Sequence, residues 1–285
     1  MDGRPIGFFD SGLGGLTCVP YLLRAFPNER IVYFGDTART PYGSKATTTI
    51  RTFASEITDF LIEEHDVKVV VIACNTVSAI ALEALRVRHP KTPILSIISP
   101  ASHAVAKICN EGNRIGVIGT KATIASETYP RKLLRYKPGL DIQQQACPAL
   151  VPLIEEGIIE SDIMDMTIRH YLDDFINGNN NDNNDNNIDT LVLGCTHYPL
   201  IRANIERLYP GLKIVDPSEE ILKSISDTLD RDNIHAPAGD AAAAEHVFYA
   251  SDLAENFVNM VNLIFSGTDY PVTFKAYPER KGGVS

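Results

Sequence analysis

No stretch of this 285-residue chain approaches the ~20 apolar residues that a membrane-spanning helix needs, so no helical span is expected. Positive charge is in deficit: 26 Lys and Arg stand against 36 Asp and Glu, a formal net charge of −10. That balance speaks against a nucleic acid or an anionic membrane surface as partner. Cysteine is scarce, odd in number at five, and nowhere spaced as C-x-x-C. This argues against a disulfide framework and a zinc knuckle alike, and no metal is expected. The dinucleotide fingerprint G-x-G-x-x-G is missing too, because Gly12, Gly14 and Gly15 are followed by no correctly spaced third glycine. A nicotinamide cofactor is therefore not expected. Met1 to Pro5 leads into a strand without an apolar signal region. With reduced thiols, this makes a cytoplasmic enzyme the expectation.

What is present is alternation. Hydrophobic residues at 44% and charged residues at 22% are ordinary for a globular protein, and the length suits two domains. Short apolar runs at 5–9, 31–34, 69–73, 94–98, 114–118, 142–146, 191–194, 213–215 and 246–250 read as strands. Helical spacing fills 17–26, 46–64, 77–89, 101–110, 123–135, 162–176, 218–229 and 253–265, and another helix follows 191–194 and runs to Leu208. Strands alternating with helices predict an α/β fold of mostly parallel sheets flanked by helices. Two similar lobes with a cleft between them are expected: residues 1–98 plus 214–285, and residues 99–213. The asparagine-rich tract 177–187 cannot bury anything and reads as a disordered surface loop.

Two strand ends carry the same device. Leu191-Val192-Leu193-Gly194 delivers Cys195-Thr196-His197-Tyr198-Pro199, and Val69–Ala73 delivers Cys74-Asn75-Thr76. Open α/β sheets place ligands at the carboxyl ends of their strands, and a helix start favours a thiolate. Both thiols are therefore expected to be drawn from the usual ~8.5 toward neutrality. Cys18, Cys109 and Cys147 read as structural. Two facing thiols without a bond between them suit one chemistry: a proton leaves carbon on one face and returns on the other, with base and acid opposed. Hydrogen bonds and positive charge must then stabilise the carbanion. Asp10, at the end of the first strand before Ser11-Gly12-Leu13-Gly14-Gly15, reads equally as a helix N-cap. The loop Gly35-Asp36-Thr37-Ala38-Arg39-Thr40-Pro41-Tyr42-Gly43 is rich in turn formers and carries one aromatic hydroxyl.

The four segments Phe9–Leu16, Gly35–Gly43, Ala73–Thr76 and Gly194–Leu200 together resemble the motifs of the bacterial glutamate racemases, in order and across nearly the whole chain. The resemblance implies a two-lobed fold, commonly dimeric, and cofactor-independent interconversion of L- and D-glutamate that supplies peptidoglycan. It further implies Cys74 as the base toward D-glutamate and Cys195 as the base toward L-glutamate. Asp10 would accept from the substrate ammonium or assist the first thiol, and His197 would do the equivalent beside the second. Glu155 is the further acidic assistant, with Glu156 adjacent to it. Ser11, Asn75, Thr76 and Thr196, with backbone groups at Pro41, Tyr42 and Gly43, would cradle the two carboxylates, and Thr120 by its position in Gly119-Thr120-Lys121. An aspartate racemase or another amino-acid racemase of the same fold is the alternative. A Cys195–His197 redox or hydrolytic enzyme would leave Cys74 dispensable, and a pure binding role would leave both cysteines so. The asparagine tract departs from the family pattern, as does the lack of an N-terminal extension on which some members bind a cell-wall precursor activator.

Overall fold

The structure is a computed structural model and describes residues 1–178, 187–237, 246–264 and 272–277. Its strands, in chain order, are β1 (Ile6–Asp10), β2 (Ile31–Gly35), β3 (Val69–Ile72), β4 (Ile94–Ser96), β5 (Arg114–Gly119), β6 (Asp141–Ala146), β7 (Thr190–Gly194), β8 (Lys213–Val215), β9 (His246–Ala250) and β10 (Val272–Ala276). They form a six-stranded sheet in the order β10-β9-β2-β1-β3-β4 and a four-stranded sheet in the order β6-β5-β7-β8. Every pairing is parallel. The α/β architecture of two helix-flanked parallel sheets is the one the alternation predicts.

β1, β2, β3 and β7 are buried at every residue. Helices cover both faces of a parallel sheet, so its inner strands must be continuously apolar rather than alternating. One hydrophobic core runs across the molecule, joining Phe8 and Val71 of the first sheet to Val117 and Val192 of the second. The helices Ile98–Ile108 and Pro217–Asp232 pack on each other within it. Separate clusters fill the outer face of each sheet.

Register levels the carboxyl ends of the strands. Asp10 pairs with Gly35 and Phe9 with Ile72, while Gly119 pairs with Gly194. The loops that follow β1, β2 and β3 therefore leave the first sheet side by side, and those after β5 and β7 do the same on the second.

Several elements differ from the periodicity. The expected helix over 77–89 is two, Asn75–Ile80 and Leu82–Arg88, broken at Ala81. Its N-cap is Cys74, and the Thr76 hydroxyl lies against those of Thr120 and Thr123. The helix over 123–135 is likewise two, Lys121–Ala125 and Thr128–Tyr136, separated by Glu127 in the left-handed region at φ 55°. The strand over 94–98 stops at Ser96, because the next helix begins at Ile98 and accommodates Pro100 in its first turn. After Gly194 comes a 3-10 turn, Tyr198–Ile201, and only then the helix Arg202–Leu208. The expected lobe boundaries at 98/99 and 213/214 fall inside the helix Ile98–Ile108 and inside β8. Residues 179–186 of the asparagine tract lie outside the described residues, as does Phe265 at the end of the expected helix over 253–265.

Candidate active site

Cys74 follows β3 and caps the helix Asn75–Ile80. Its buried thiol donates to Ser11 Oγ at 3.4 Å. Burial foremost, then the nearby charge of Asp10, pushes the thiol up to about 12, against the hydrogen bonds of Ser11 and the Val77 backbone. The expected shift toward neutrality is therefore reversed at this cysteine. The dipole of a six-residue helix is a smaller effect than loss of water around the sulfur. Cys74 is a neutral thiol at pH 7.

Cys195 follows β7 and faces His197, whose Nδ1 lies 3.8 Å from its sulfur. His197 Nε2 is 3.0 Å from Glu155 Oε1. Burial alone lowers the imidazole, but the hydrogen bonds to Cys195 and Glu155 outweigh it and raise it to about 10. The ring is thus a cation at neutral pH, with both nitrogens donating. A cation beside a sulfur stabilises negative charge there. Glu155 makes this contact at the end of the helix Leu150–Glu155, whereas Glu156 is exposed.

Asp10 is fully buried and does not line the cavity. One carboxylate oxygen accepts the backbone N–H of Gly12 at 3.3 Å and of Gly15 at 2.9 Å. The other accepts the Thr196 hydroxyl at 3.4 Å, from the opposite sheet. Of its two sequence readings, the backbone-holding one is met in altered form, since it braces the glycine turn rather than capping a helix. The loop after β2 is anchored by Asp36, which accepts from Tyr42 Oη and, at 2.7 Å, from Arg39 Nε. Burial and that carboxylate hold the Tyr42 phenol far above its usual range.

Asn75 accepts from Tyr129 Oη at 2.7 Å through Oδ1, while its buried Nδ2 has no partner among the described residues. The Thr76 hydroxyl lies 3.0 Å from that of Thr120 and 3.3 Å from that of Thr123.

Ser11, Pro41, Tyr42, Gly43, Cys74, Asn75, Thr76, Thr120, Cys195, Thr196 and His197 all line one cavity, to which the two sheets contribute from opposite sides. Glu155 reaches it through His197. Thr40 and Val151 also line it, and neither was singled out by sequence. Val151 lies one helical turn before Glu155, a spacing that puts both on one face. None of the lining residues is Lys or Arg. Among the described residues lining the cavity, the positive charge expected for carbanion stabilisation is therefore that of His197. Among the described residues no cluster of three or more His, Cys, Asp or Glu is arranged to hold a metal ion. Nor is any described helix long and apolar enough to cross a membrane.

Residues 17–225 match the family model of the Asp/Glu/hydantoin racemases. A glutamate racemase from Geobacter metallireducens is 38% identical over 94% of each chain. One from Sulfurihydrogenibium is 43% identical over 78% of this chain and 82% of its own. Among solved structures, the glutamate racemase of Francisella tularensis in complex with D-glutamate superposes with a TM-score of 0.86 at 34% identity, covering 98% of both chains. The RacE1 isoform from Bacillus anthracis gives the same score at 30% identity, again over 98% of both.

Proposed function

The chain belongs to the Asp/Glu/hydantoin racemase family and is a racemase of the glutamate type; from that premise we propose that it interconverts L- and D-glutamate by proton transfer between Cys195 and Cys74. The observation that carries the proposal is that two strand-end cysteines, one from each sheet, line the same cavity. With L-glutamate, the Cys195 thiolate takes the α-proton while the Cys74 thiol gives its own to the opposite face of the carbanion. Cys195 is left as thiol, Cys74 as thiolate, and the product is D-glutamate; the reverse reaction exchanges the roles. The neutral thiol of Cys74 suits the acid, and the imidazolium beside Cys195 suits the base.

Glu155 holds that imidazolium, and Asp10, buried behind the cavity wall, braces the glycine turn after β1 and acts on Cys74 through its charge. Without Lys or Arg at the cavity, hydroxyls and N–H groups hold the carboxylates: Ser11, Thr76, Thr120, Thr196, and the backbone at Pro41–Gly43. The partnerless Nδ2 of Asn75 supports this cradle, because a buried donor left unpaired costs about 1–3 kcal/mol. A carboxylate oxygen would supply the acceptor. The cavity volume of about 20 Å³ holds about one water. The two sheets, each with the helices that flank it, therefore separate to admit substrate. The proposal extends to a cytoplasmic homodimer supplying D-glutamate for peptidoglycan.

Circular dichroism of L- and D-glutamate incubated with the protein tests it. Loss of the signal from both enantiomers, with aspartate unchanged, is expected. Racemisation of aspartate instead would retain the chemistry and refute the substrate.

A further inference from the structure

Gly14 and Gly43 are glycines for reasons of space, not of backbone. Neither adopts a positive φ, so their conformations are open to any L-residue. Gly14 begins the turn Gly14–Cys18 after β1, and Gly43 sits in the turn Tyr42–Ser44 after β2. A Cβ on Gly14 would lie 2.5 Å from Thr196 Oγ1, 2.7 Å from His197 Nδ1 and 2.9 Å from the Thr196 carbonyl carbon. A Cβ on Gly43 would lie 2.5 Å from Thr120 Cβ and 2.7 Å from its Cγ2. These obstructing atoms all belong to the loops after β7 and β5, on the other sheet. Gly15 is a contrast, because its Cβ would meet Asp10, Tyr33 and Ala73 of its own sheet.

We propose that Gly14 and Gly43 are positioning residues, whose missing side chains set how closely the two sheets approach and so hold Cys74 and Cys195 at working separation. Ordinary contact begins near 3.4 Å, so an alanine at either site falls short by about 1 Å. The obstructing atoms of Thr120 and Thr196 include a Cβ and a backbone carbon, which cannot swing aside. The sheets themselves must part. The cross-sheet hydrogen bonds Thr76–Thr120 at 3.0 Å and Thr196–Asp10 at 3.4 Å depend on the same spacing. A displacement of this size costs on the order of 10²-fold in a reaction that needs two groups aligned on one carbon.

The inference rests on the two-thiol reading above, and a double-mutant cycle separates the two. Gly43→Ala keeps its backbone N–H, so no donor is lost. Thr120→Gly removes the Cβ it would strike, at a cost of only a few tenths of a kcal/mol as a helix cap. Gly43→Ala is expected to lower kcat about 10²-fold in both directions when Thr120 is retained. Thr120→Gly has its own cost through the carboxylate cradle, so the comparison is with that single variant. Relative to it, adding Gly43→Ala should cost no more than a few-fold in kcat, and its effect on the unfolding midpoint should shrink in parallel. Failure of Gly43→Ala to fold, with the double variant folded and active, would show the same incompatibility. An equal loss in both backgrounds would overturn the spacing role. A wild type inert toward glutamate would refute the two-thiol reading instead, while the unfolding midpoints of the cycle would still decide the spacing.

Discussion

Cys74 and Cys195 occupy matching strand ends in unequal surroundings: Cys74 meets a hydroxyl and a buried carboxylate, Cys195 an imidazolium. Cys74→Ser and Cys195→Ser are each expected to lose net racemisation by roughly 10²–10⁴-fold, since each removes an acid–base partner; chiral chromatography of the products checks this. The His197 pKa is raised above its usual ~6.5 to about 10. Its charged form therefore stabilises the fold fully below about 6.5, and that contribution is lost as pH rises through about 10. Glu155→Gln should lower the pH at which the ring titrates, read from its NMR shifts, and an unmoved midpoint would contradict the pairing. Cys74 and Cys195 were legible as lining one cavity because each lies within two residues of a strand end, where sequence pattern is sharpest, whereas His197 was singled out only through the family motif. Thr40 and Val151 were not, because a turn-rich loop and an apolar helix face each look the same whether or not they border a cavity. Nor was the sign of the Cys74 shift legible, since burial depends on what folds over the sulfur.

At the level of elements, the strands were read closely because their apolar runs are short and bounded, whereas helices were read as too continuous. Helical periodicity runs through Ala81 and Glu127, yet the chain breaks at both. The turn after β1 owes its shape to Asp10, which accepts two of its backbone N–H groups. Asp10→Ala should destabilise the protein by about 1–3 kcal/mol for each donor left buried and unpaired. Denaturant midpoints measure this, and an unchanged midpoint would mean that the turn holds itself.

Across the whole molecule, the shared core and the returning strands β9 and β10 make the first sheet from both ends of the chain. That return was legible only from the small size of a lobe ending near residue 98. Its fastening was not: Lys68 and Glu29 form a buried pair at 2.6 Å. Lys68 Nζ also donates to the carbonyls of Asp2 at 2.8 Å and Ile234 at 2.7 Å. Glu29 in turn accepts the Ala236 N–H at 2.8 Å. Lys68→Met would strand the carboxylate and should cost about 3–5 kcal/mol, seen as a lowered unfolding midpoint with the site chemistry intact. The central claim, that the α-proton passes through two thiols on opposite faces, is tested most directly by racemisation in deuterium oxide. The account predicts that wild type places solvent deuterium at the α-carbon of the enantiomer it forms, and that each Cys→Ser variant loses that incorporation. Inversion without deuterium, or full incorporation with either cysteine replaced, would contradict it.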